Sequence, residues 1–261
     1  MSEQVPQADE SEEKRRSRAI YILPNLFTTA ALFGGFYAIV QAMNGRFEHA
    51  AVAIFISMVL DGLDGRVARL TNTQSEFGAE YDSLSDMVAF GVAPALVTYE
   101  WALKDLGKLG WIAAFVYCVS AALRLARFNT NIAVVDKRFF QGLPSPAAAA
   151  LLTGFVWVMI DNDFTGSGSF LGIPMPYLAC GFALFSGVSM VTNVLFWSGK
   201  DINLRRAVPF AVPLVIVGGL AAVSSYPPGV LFGLFVCYGL SGYVMTAVRR
   251  LRKLRATPVS R

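Results

Sequence analysis

Charged residues are scarce in this sequence. Only 15% of its 261 residues are Asp, Glu, Lys or Arg, whereas 55% are hydrophobic. A soluble domain needs more polar surface than this, so the composition excludes an ordinary soluble protein and indicates that lipid is the solvent for most of the chain. Cysteine is rare as well: Cys118, Cys180 and Cys237 lie singly in different apolar segments. This spacing excludes a paired-cysteine zinc site and a disulfide framework.

Long polar stretches are also lacking, so a single membrane domain without an inserted soluble domain is predicted. About 20 helical residues cross the apolar core of a bilayer, and eight long, largely apolar runs are present: residues 20–43, 47–70, 77–103, 110–129, 145–161, 170–197, 207–224 and 226–248. The sequence therefore predicts an all-α integral membrane protein, a bundle of about eight transmembrane helices. Residues 1–18 are expected to form a disordered cytoplasmic segment, residues 19–248 the membrane domain and residues 249–261 a basic tail.

The positions of the basic residues predict the orientation of this bundle. If the N-terminus is cytoplasmic, all but three of the 22 basic residues lie on the cytoplasmic side; the exceptions are Arg46, Lys104 and Lys108. Such a bias is typical of cytoplasmic loops, so both termini are expected inside. The basic tail follows the last run directly, which suits anionic lipid headgroups. Nucleic acid is not an expected partner.

Two of the apolar runs carry acidic residues at helical spacing. Asp61 and Asp64 lie one turn apart in the second run, and Asp82 and Asp86 lie one turn apart in the third. Each pair therefore shares a helical face, and two antiparallel helices joined by a turn at residues 71–75 would bring the pairs together. Because four carboxylates repel one another, divalent cations are expected between them. Oxygen ligands favour Mg²⁺ or Mn²⁺, with two ions as the natural number.

The acidic residues are open to two other interpretations. The acids could form structural ion pairs with Arg66 and Arg69, but two basic residues cannot neutralise four or more acids. The acids could instead line the path of a cation transporter. Such a path should continue through the bilayer, whereas these acids are confined to the cytoplasmic halves of the two runs.

The same residues form a motif that resembles a known family. The stretch Asp61-Gly-Leu-Asp64-Gly65-Arg-Val-Ala68-Arg69, eight further residues and Gly78-x-x-x-Asp82-x-x-x-Asp86 match the signature of the CDP-alcohol phosphotransferases at every fixed position. The resemblance implies a homodimer that transfers a phosphatidyl group from CDP-diacylglycerol to an alcohol. It implies that the four aspartates ligate the metals and that Asp86 is also the general base. It assigns the shaping of the CDP site to Gly65, Ala68, Arg69 and Gly78.

Further segments bear on the acceptor alcohol. Residues 23–29, 34–36, 120–130 and 140–149 resemble the short, type II phosphatidylserine synthases of this family, which implies L-serine as the acceptor and a site on the cytoplasmic face of a bacterial inner membrane. The candidate acceptor-binding residues are Arg124, Arg127, Asn129 and Ser145, because arginines pair well with carboxylates. The two arginines could equally be positive-inside residues at a helix end, or could hold an acceptor phosphate such as inositol phosphate or glycerol phosphate.

One position departs from the family pattern. Family members commonly carry Asn near position 31, where this chain has Ala31. Two outcomes are open: that polar contact beside the CDP moiety is missing, or the hydroxyl group of Thr28 or Thr29 replaces it.

Overall fold

Helices form nearly the whole of the computed structural model, which describes residues 8–130, 139–198 and 211–256. The α-helices in these ranges are α1 Ala8–Met43, α2 Phe47–Leu70, α3 Glu76–Asp86, α4 Ala93–Trp101, α5 Lys108–Thr130, α6 Ser145–Asp161, α7 Met175–Val191, α8 Ala211–Ser225 and α9 Pro227–Ala256. Two small antiparallel ladders join them: β1 Phe139–Gln141 with β4 Leu195–Trp197, and β2 Ser169–Phe170 with β3 Ile173–Pro174. The predicted helical class is confirmed, except for these short strands.

Several helices are suited to a bilayer. Three are long and apolar enough to cross one, at Leu23–Met43, Lys108–Thr130 and Pro227–Arg249. Shorter apolar helices lie at Ser145–Asp161, Met175–Val191 and Pro213–Ser225. Large apolar side chains such as Phe33, Leu214 and Val215 are more than half exposed. An outer surface of this kind fits lipid and would promote aggregation in water, so the chain is an integral membrane protein.

Two segments differ from the sequence expectation. Helix α1 begins at Ala8 and so includes residues 8–18, which were expected to lack structure; most residues of this stretch are Glu, Arg or Lys, which are good helix formers. The run 170–197 contains a helix only between Met175 and Val191, because its ends pair in the two ladders. Six of the basic residues from which the orientation is predicted lie outside the described residues: Lys137, Arg138, Lys200, Arg205, Arg206 and Arg261.

The third apolar run is a single helical rod with an internal irregularity. A π-helical turn, Met87–Val92, connects α3 to α4 and begins directly after Asp86. Pro94 has no N–H, so it cannot donate to the carbonyl of Phe90 as an α-helix requires. The hydroxyl of Tyr117 on α5 donates to that carbonyl instead, at 3.0 Å. The wider turn and the bond to α5 therefore fix the C-terminal end of α3, where Asp86 lies.

Close packing at two glycines places α1 beside α2 and beside the π-helical turn that follows α3. A Cβ atom at Gly34 would overlap the Ser57 hydroxyl of α2, and one at Gly35 would lie 2.6 Å from the Cα of Ala89 in the π-helical turn. Glycine therefore lets the backbones approach closely, as small residues do between membrane helices. This contact brings α1 against the ends of α2 and α3 that carry the aspartates.

Candidate active site

The four aspartates meet where α2 and α3 face each other across the turn at residues 71–75. Asp61, Asp64 and Asp82 each place a carboxylate oxygen within 4.8 Å of the others. Asp86 lies close enough to Asp61 for their carboxyl groups to interact electrostatically. We refer to these four residues as the aspartate cluster. The turn that brings them together is fixed by Ser75, whose hydroxyl caps α3 by accepting from the backbone N–H of Gly78 at 3.0 Å.

Helix α1 supplies a buried hydroxyl group to this cluster. The Thr28 hydroxyl donates to Asp64 at 2.8 Å, and its oxygen lies farther, at 3.2 Å, from the carbonyl of Pro24. A hydroxyl has one proton to donate, so the shorter contact takes it. The backbone carbonyl of Thr28 in turn accepts from the Ser85 hydroxyl of α3 at 3.0 Å. Thr28 of α1 therefore connects its helix to both α2 and α3.

The cluster has the properties expected of a divalent-cation site. Its atoms are carboxylate oxygens, which Mg²⁺ and Mn²⁺ prefer. Asp82 Oδ1 is buried without a hydrogen-bond partner, and a buried polar atom of this kind calls for a ligand. Among the residues that the structure describes, the only ion pair joins Lys104 to Glu100, far along the chain from the cluster. The alternative of structural pairs with Arg66 and Arg69 is therefore wrong.

The residues predicted to shape the CDP site surround this cluster on α2 and α3. Space is open at Gly65, where the nearest atom to an added Cβ would be Arg69 Nη1 at 3.8 Å. Arg69 is exposed and Ala68 is half-buried. Gly78 differs, because an added Cβ there would lie 3.0 Å from the Ser75 hydroxyl that caps the helix. Glycine at position 78 therefore leaves room for the Ser75 cap at the start of α3, in addition to its predicted role in the CDP site.

The two threonines of α1 occupy different environments. Thr28 is buried against Asp64, whereas Thr29 is exposed and lies 2.9 Å from the hydroxyl of Tyr81. Ala31 is only 2% exposed and belongs to the interior. The polar groups at this part of α1 are therefore those of the threonines, and the side chain at position 31 is enclosed by protein.

Of the candidate acceptor-binding residues, Arg124 and Ser145 lie together beside the cluster. Arg124 Nη1 donates to Ser145 Oγ at 2.5 Å. The guanidinium also lies close enough to Asp86 and Asp61 to interact with them electrostatically. Ser145 is fully buried at the start of α6. The pair therefore provides a cation and a hydroxyl group next to the predicted base.

Arg127 and Asn129 point elsewhere. Arg127 Nη1 lies 3.4 Å from both the Val191 carbonyl at the end of α7 and Asn193 Oδ1. A cation at the carbonyl end of a helix is favourable, so Arg127 has a structural partner of its own. Asn129 donates to the Ser83 hydroxyl on α3 at 3.0 Å. The structure thus separates these two residues from the Arg124 pair.

Two features of the site were not found from the sequence. Tyr238 of α9 lies close enough to Arg124 to interact with its charge, although more than a hundred residues separate them. A groove of about 590 Å³ also runs between α1 and α2, from Ala30 and Leu60 beside the cluster to His49 and Glu48. In the sequence, the only signal for the first feature is a single tyrosine, Tyr238, in an apolar run. No residue spacing indicates the groove between α1 and α2.

Comparison with known proteins gives the family. The model of the CDP-alcohol phosphatidyltransferase family matches residues 21–195, which include the whole aspartate cluster, Arg124 and Ser145. A CDP-diacylglycerol–serine O-phosphatidyltransferase of Helicobacter pylori strain J99 is 39% identical over 234 residues, covering 88% of this chain and 94% of the relative.

Proteins of the same name from two other organisms are also similar to parts of this chain. That of Mycobacterium tuberculosis strain H37Rv is 41% identical over 148 residues, 54% of this chain and 51% of the relative. That of Saccharomyces cerevisiae is 38% identical over 139 residues, 48% of this chain and 50% of the relative. With a family model that matches well over half of its length, this chain belongs to the CDP-alcohol phosphatidyltransferase family.

Proposed function

We propose that this chain transfers the phosphatidyl group of CDP-diacylglycerol to the hydroxyl group of L-serine, giving phosphatidylserine and CMP. The observation that carries the proposal is the aspartate cluster, in which Asp82 Oδ1 is buried without a hydrogen-bond partner, in a chain that aligns over 88% of its length with a serine O-phosphatidyltransferase. The cluster accounts for the handling of a diphosphate. The long alignment supports serine as the alcohol.

The aspartate cluster would hold two divalent cations, Mg²⁺ or Mn²⁺, which when bound supply positive charge that neutralises the donor diphosphate and the departing phosphate of CMP. Thr28 keeps the Asp64 carboxylate oriented through its 2.8 Å hydrogen bond. Gly65 leaves room for the nucleotide at the surface of α2. Arg69, which is exposed on the same helix, is placed to pair with a phosphate oxygen.

The chemical step is an in-line displacement at the lipid-bearing phosphorus. Asp86 accepts the proton of the serine hydroxyl as that oxygen forms its bond to phosphorus. The bond from the same phosphorus to the oxygen of CMP breaks, and CMP leaves with the electron pair. Asp86 suits this role because it is close enough to both Asp61 and the Arg124 charge to interact with them electrostatically.

Arg124 is the preferred ligand for the serine carboxylate. A guanidinium has five N–H donors, and the bond to Ser145 occupies one of them, so others stay free for a carboxylate. Arg127 and Asn129 have partners on α7, on the segment after it and on α3, and are assigned a smaller part in acceptor binding.

The groove between α1 and α2 would receive an acyl chain of the donor lipid. It begins at Ala30 and Leu60, the neighbours of Thr29 and Asp61, and its lining is predominantly apolar. Along α2 it extends from residue 60 to residue 49, about 16 Å at helical rise. This is roughly half of the bilayer core, the depth that one lipid leaflet occupies. A donor with its diphosphate at the cluster would thus keep its acyl chain in contact with the protein.

The arrangement in the cell follows from the same proposal. About eight spans with both termini in the cytoplasm would put the aspartate cluster at the cytoplasmic face, in a bacterial case at the inner membrane. The homodimer implied by the family resemblance stays a prediction, which cross-linking in membranes would test.

An acceptor panel tests the function directly. Purified protein with CDP-diacylglycerol and Mg²⁺ or Mn²⁺ should release CMP and form phosphatidylserine with L-serine, and should lose activity with a chelator. Inositol phosphate and glycerol 3-phosphate serve as competing acceptors. If serine gives no lipid product and one of these does, the acceptor assignment is wrong. If Asp86→Asn retains full transferase activity, the catalytic assignment fails.

A further inference from the structure

Helix α9 packs against strand β4 through one of its faces. The helix lies outside residues 21–195, which the family model matches. Phe196 of β4 is fully buried, and its ring centroid lies 5.8 Å from that of Tyr238 and 6.2 Å from that of Tyr243. A Cβ atom at Gly242 would overlap the Phe196 ring. Glycine therefore lets α9 approach the strand closely, and the two tyrosine rings pack on Phe196.

The hydroxyl group of Tyr243 contacts helix α7. Its oxygen lies 2.6 Å from Ser189 Oγ, and Ser189 is only 1% exposed. Ser189 belongs to the last turn of α7, where backbone carbonyl groups have no N–H partner within the helix. Its carbonyl accepts instead from the backbone N–H of Leu143 at 2.9 Å. Tyr243 therefore holds the residue to which the segment around Leu143 is anchored.

The segment around Leu143 leads directly to the candidate acceptor side. Leu143 is fully buried and precedes Ser145 by two residues. Gly142 has a φ of +79°, and a side chain there would overlap the Met190 carbonyl near the end of α7. Ser145 Oγ accepts from Arg124 Nη1 at 2.5 Å. The end of α7 thus fixes the backbone that places the hydroxyl partner of Arg124.

We propose that Tyr243 is a positioning residue of the acceptor site, holding the Ser145 hydroxyl where it orients Arg124. The path runs through the Ser189 carbonyl and the buried Leu143 backbone. The inference rests on the proposed function, in which Arg124 binds the serine carboxylate. Binding groups must stay within about 0.5 Å of their productive geometry, and hydrogen bonds from surrounding residues keep them there. The C-terminal helix α9 thereby has a part in acceptor recognition.

Tyr243→Phe tests the inference because it removes the hydroxyl group and keeps the ring that packs on Phe196. We expect steady-state kinetics to show a KM for serine raised about fivefold, the size expected for one lost hydrogen bond. The KM for CDP-diacylglycerol should be unchanged. Ser189→Ala removes the other partner of the same bond and should give the same result. The matched control is Tyr226→Phe, which loses a 2.7 Å bond from Asn162 just before α9 begins and should alter neither KM.

A double-mutant cycle with Ser145→Ala distinguishes positioning from a general loss of stability. In that protein Arg124 has already lost its hydroxyl partner, so Tyr243→Phe should raise the KM for serine no further. The inference is overturned if the two effects multiply, or if Tyr243→Phe raises both KM values together, as a merely structural role would produce. It is overturned equally if Tyr243→Phe and Ser189→Ala leave the KM for serine unchanged.

Arg124→Gln, measured in parallel, distinguishes failure of the positioning role from failure of the proposed function. If it raises the KM for serine and Tyr243→Phe does not, only the positioning role fails. If Arg124→Gln does not alter that KM, Arg124 does not bind the acceptor and the positioning role fails with it. If the unchanged protein forms no phosphatidylserine, the proposed function itself fails, and the positioning role with it.

Discussion

The Thr28 hydroxyl on α1 donates to the Asp64 carboxylate on α2 at 2.8 Å, inside the protein. Neither residue is near the other in sequence, and the contact depends on the close approach of α1 at Gly34 and Gly35. A hydrogen bond of this kind orients a ligating carboxylate and tunes its basicity. It therefore gives α1 a direct part in the candidate metal site.

Replacing Thr28 should weaken metal binding while leaving the fold intact. Thr28→Val keeps the shape of the side chain and removes the donor, so we expect the Mg²⁺ concentration for half-maximal activity to rise about tenfold, as for the loss of an outer-shell partner. Activity measured across a magnesium titration checks this. Thr29→Val is the control, because its hydroxyl is exposed and contacts Tyr81; an equal shift in both variants would contradict a specific role for Thr28.

Removing the charge of Asp82 should abolish most of the activity. Asp82→Asn conserves size but replaces one buried oxygen by an amide nitrogen, and a lost cation site costs several kcal/mol of transition-state stabilisation, roughly 100-fold or more in rate. CMP release at saturating Mg²⁺ is the measurement. Asp161→Asn, an exposed residue at the end of α6, is the matched control. Near-normal activity of Asp82→Asn would exclude Asp82 as a ligand.

Filling the groove between α1 and α2 should affect long-chain donors selectively. Ala30→Phe adds a ring to the lining of the groove. We expect the KM for a long-chain CDP-diacylglycerol to rise about tenfold, the usual size of a steric mismatch in an apolar pocket. A short-chain donor should be affected less. Ala221→Phe on the exposed surface of α8 is the control. Equal effects on both donors would place the acyl chain elsewhere.

The bond between Tyr117 and the Phe90 carbonyl should stabilise the fold. Tyr117→Phe leaves a buried carbonyl without its donor, since Pro94 cannot supply one. An unsatisfied buried group costs about 1–3 kcal/mol, so unfolding in detergent should occur correspondingly earlier. Tyr177→Phe, at a site where the side chain is 57% exposed, provides the comparison. If the two variants unfold alike, the carbonyl has found another donor.

Local spacing was enough to predict the aspartate pairs. The intervals from Asp61 to Asp64 and from Asp82 to Asp86 correspond to one helical turn, and the short turn between α2 and α3 leaves few ways to join the helices. The environment of Arg124 could not be predicted in this way. Its hydrogen-bond partner, Ser145, belongs to α6, and the approach of that helix depends on packing and on the β1–β4 ladder.

The sequence by itself determined the membrane class, the helical spacing of the acids and the family, because hydropathy, periodicity and a fixed motif are properties of neighbouring residues. Tertiary structure alone decided that Thr28 meets Asp64 and that Arg124 and Arg127 have hydrogen-bond partners in different parts of the fold. These partners lie from 21 to 66 positions apart in the sequence. Distances between such residues depend on how helices pack, and composition and period do not encode the packing of one helix against another.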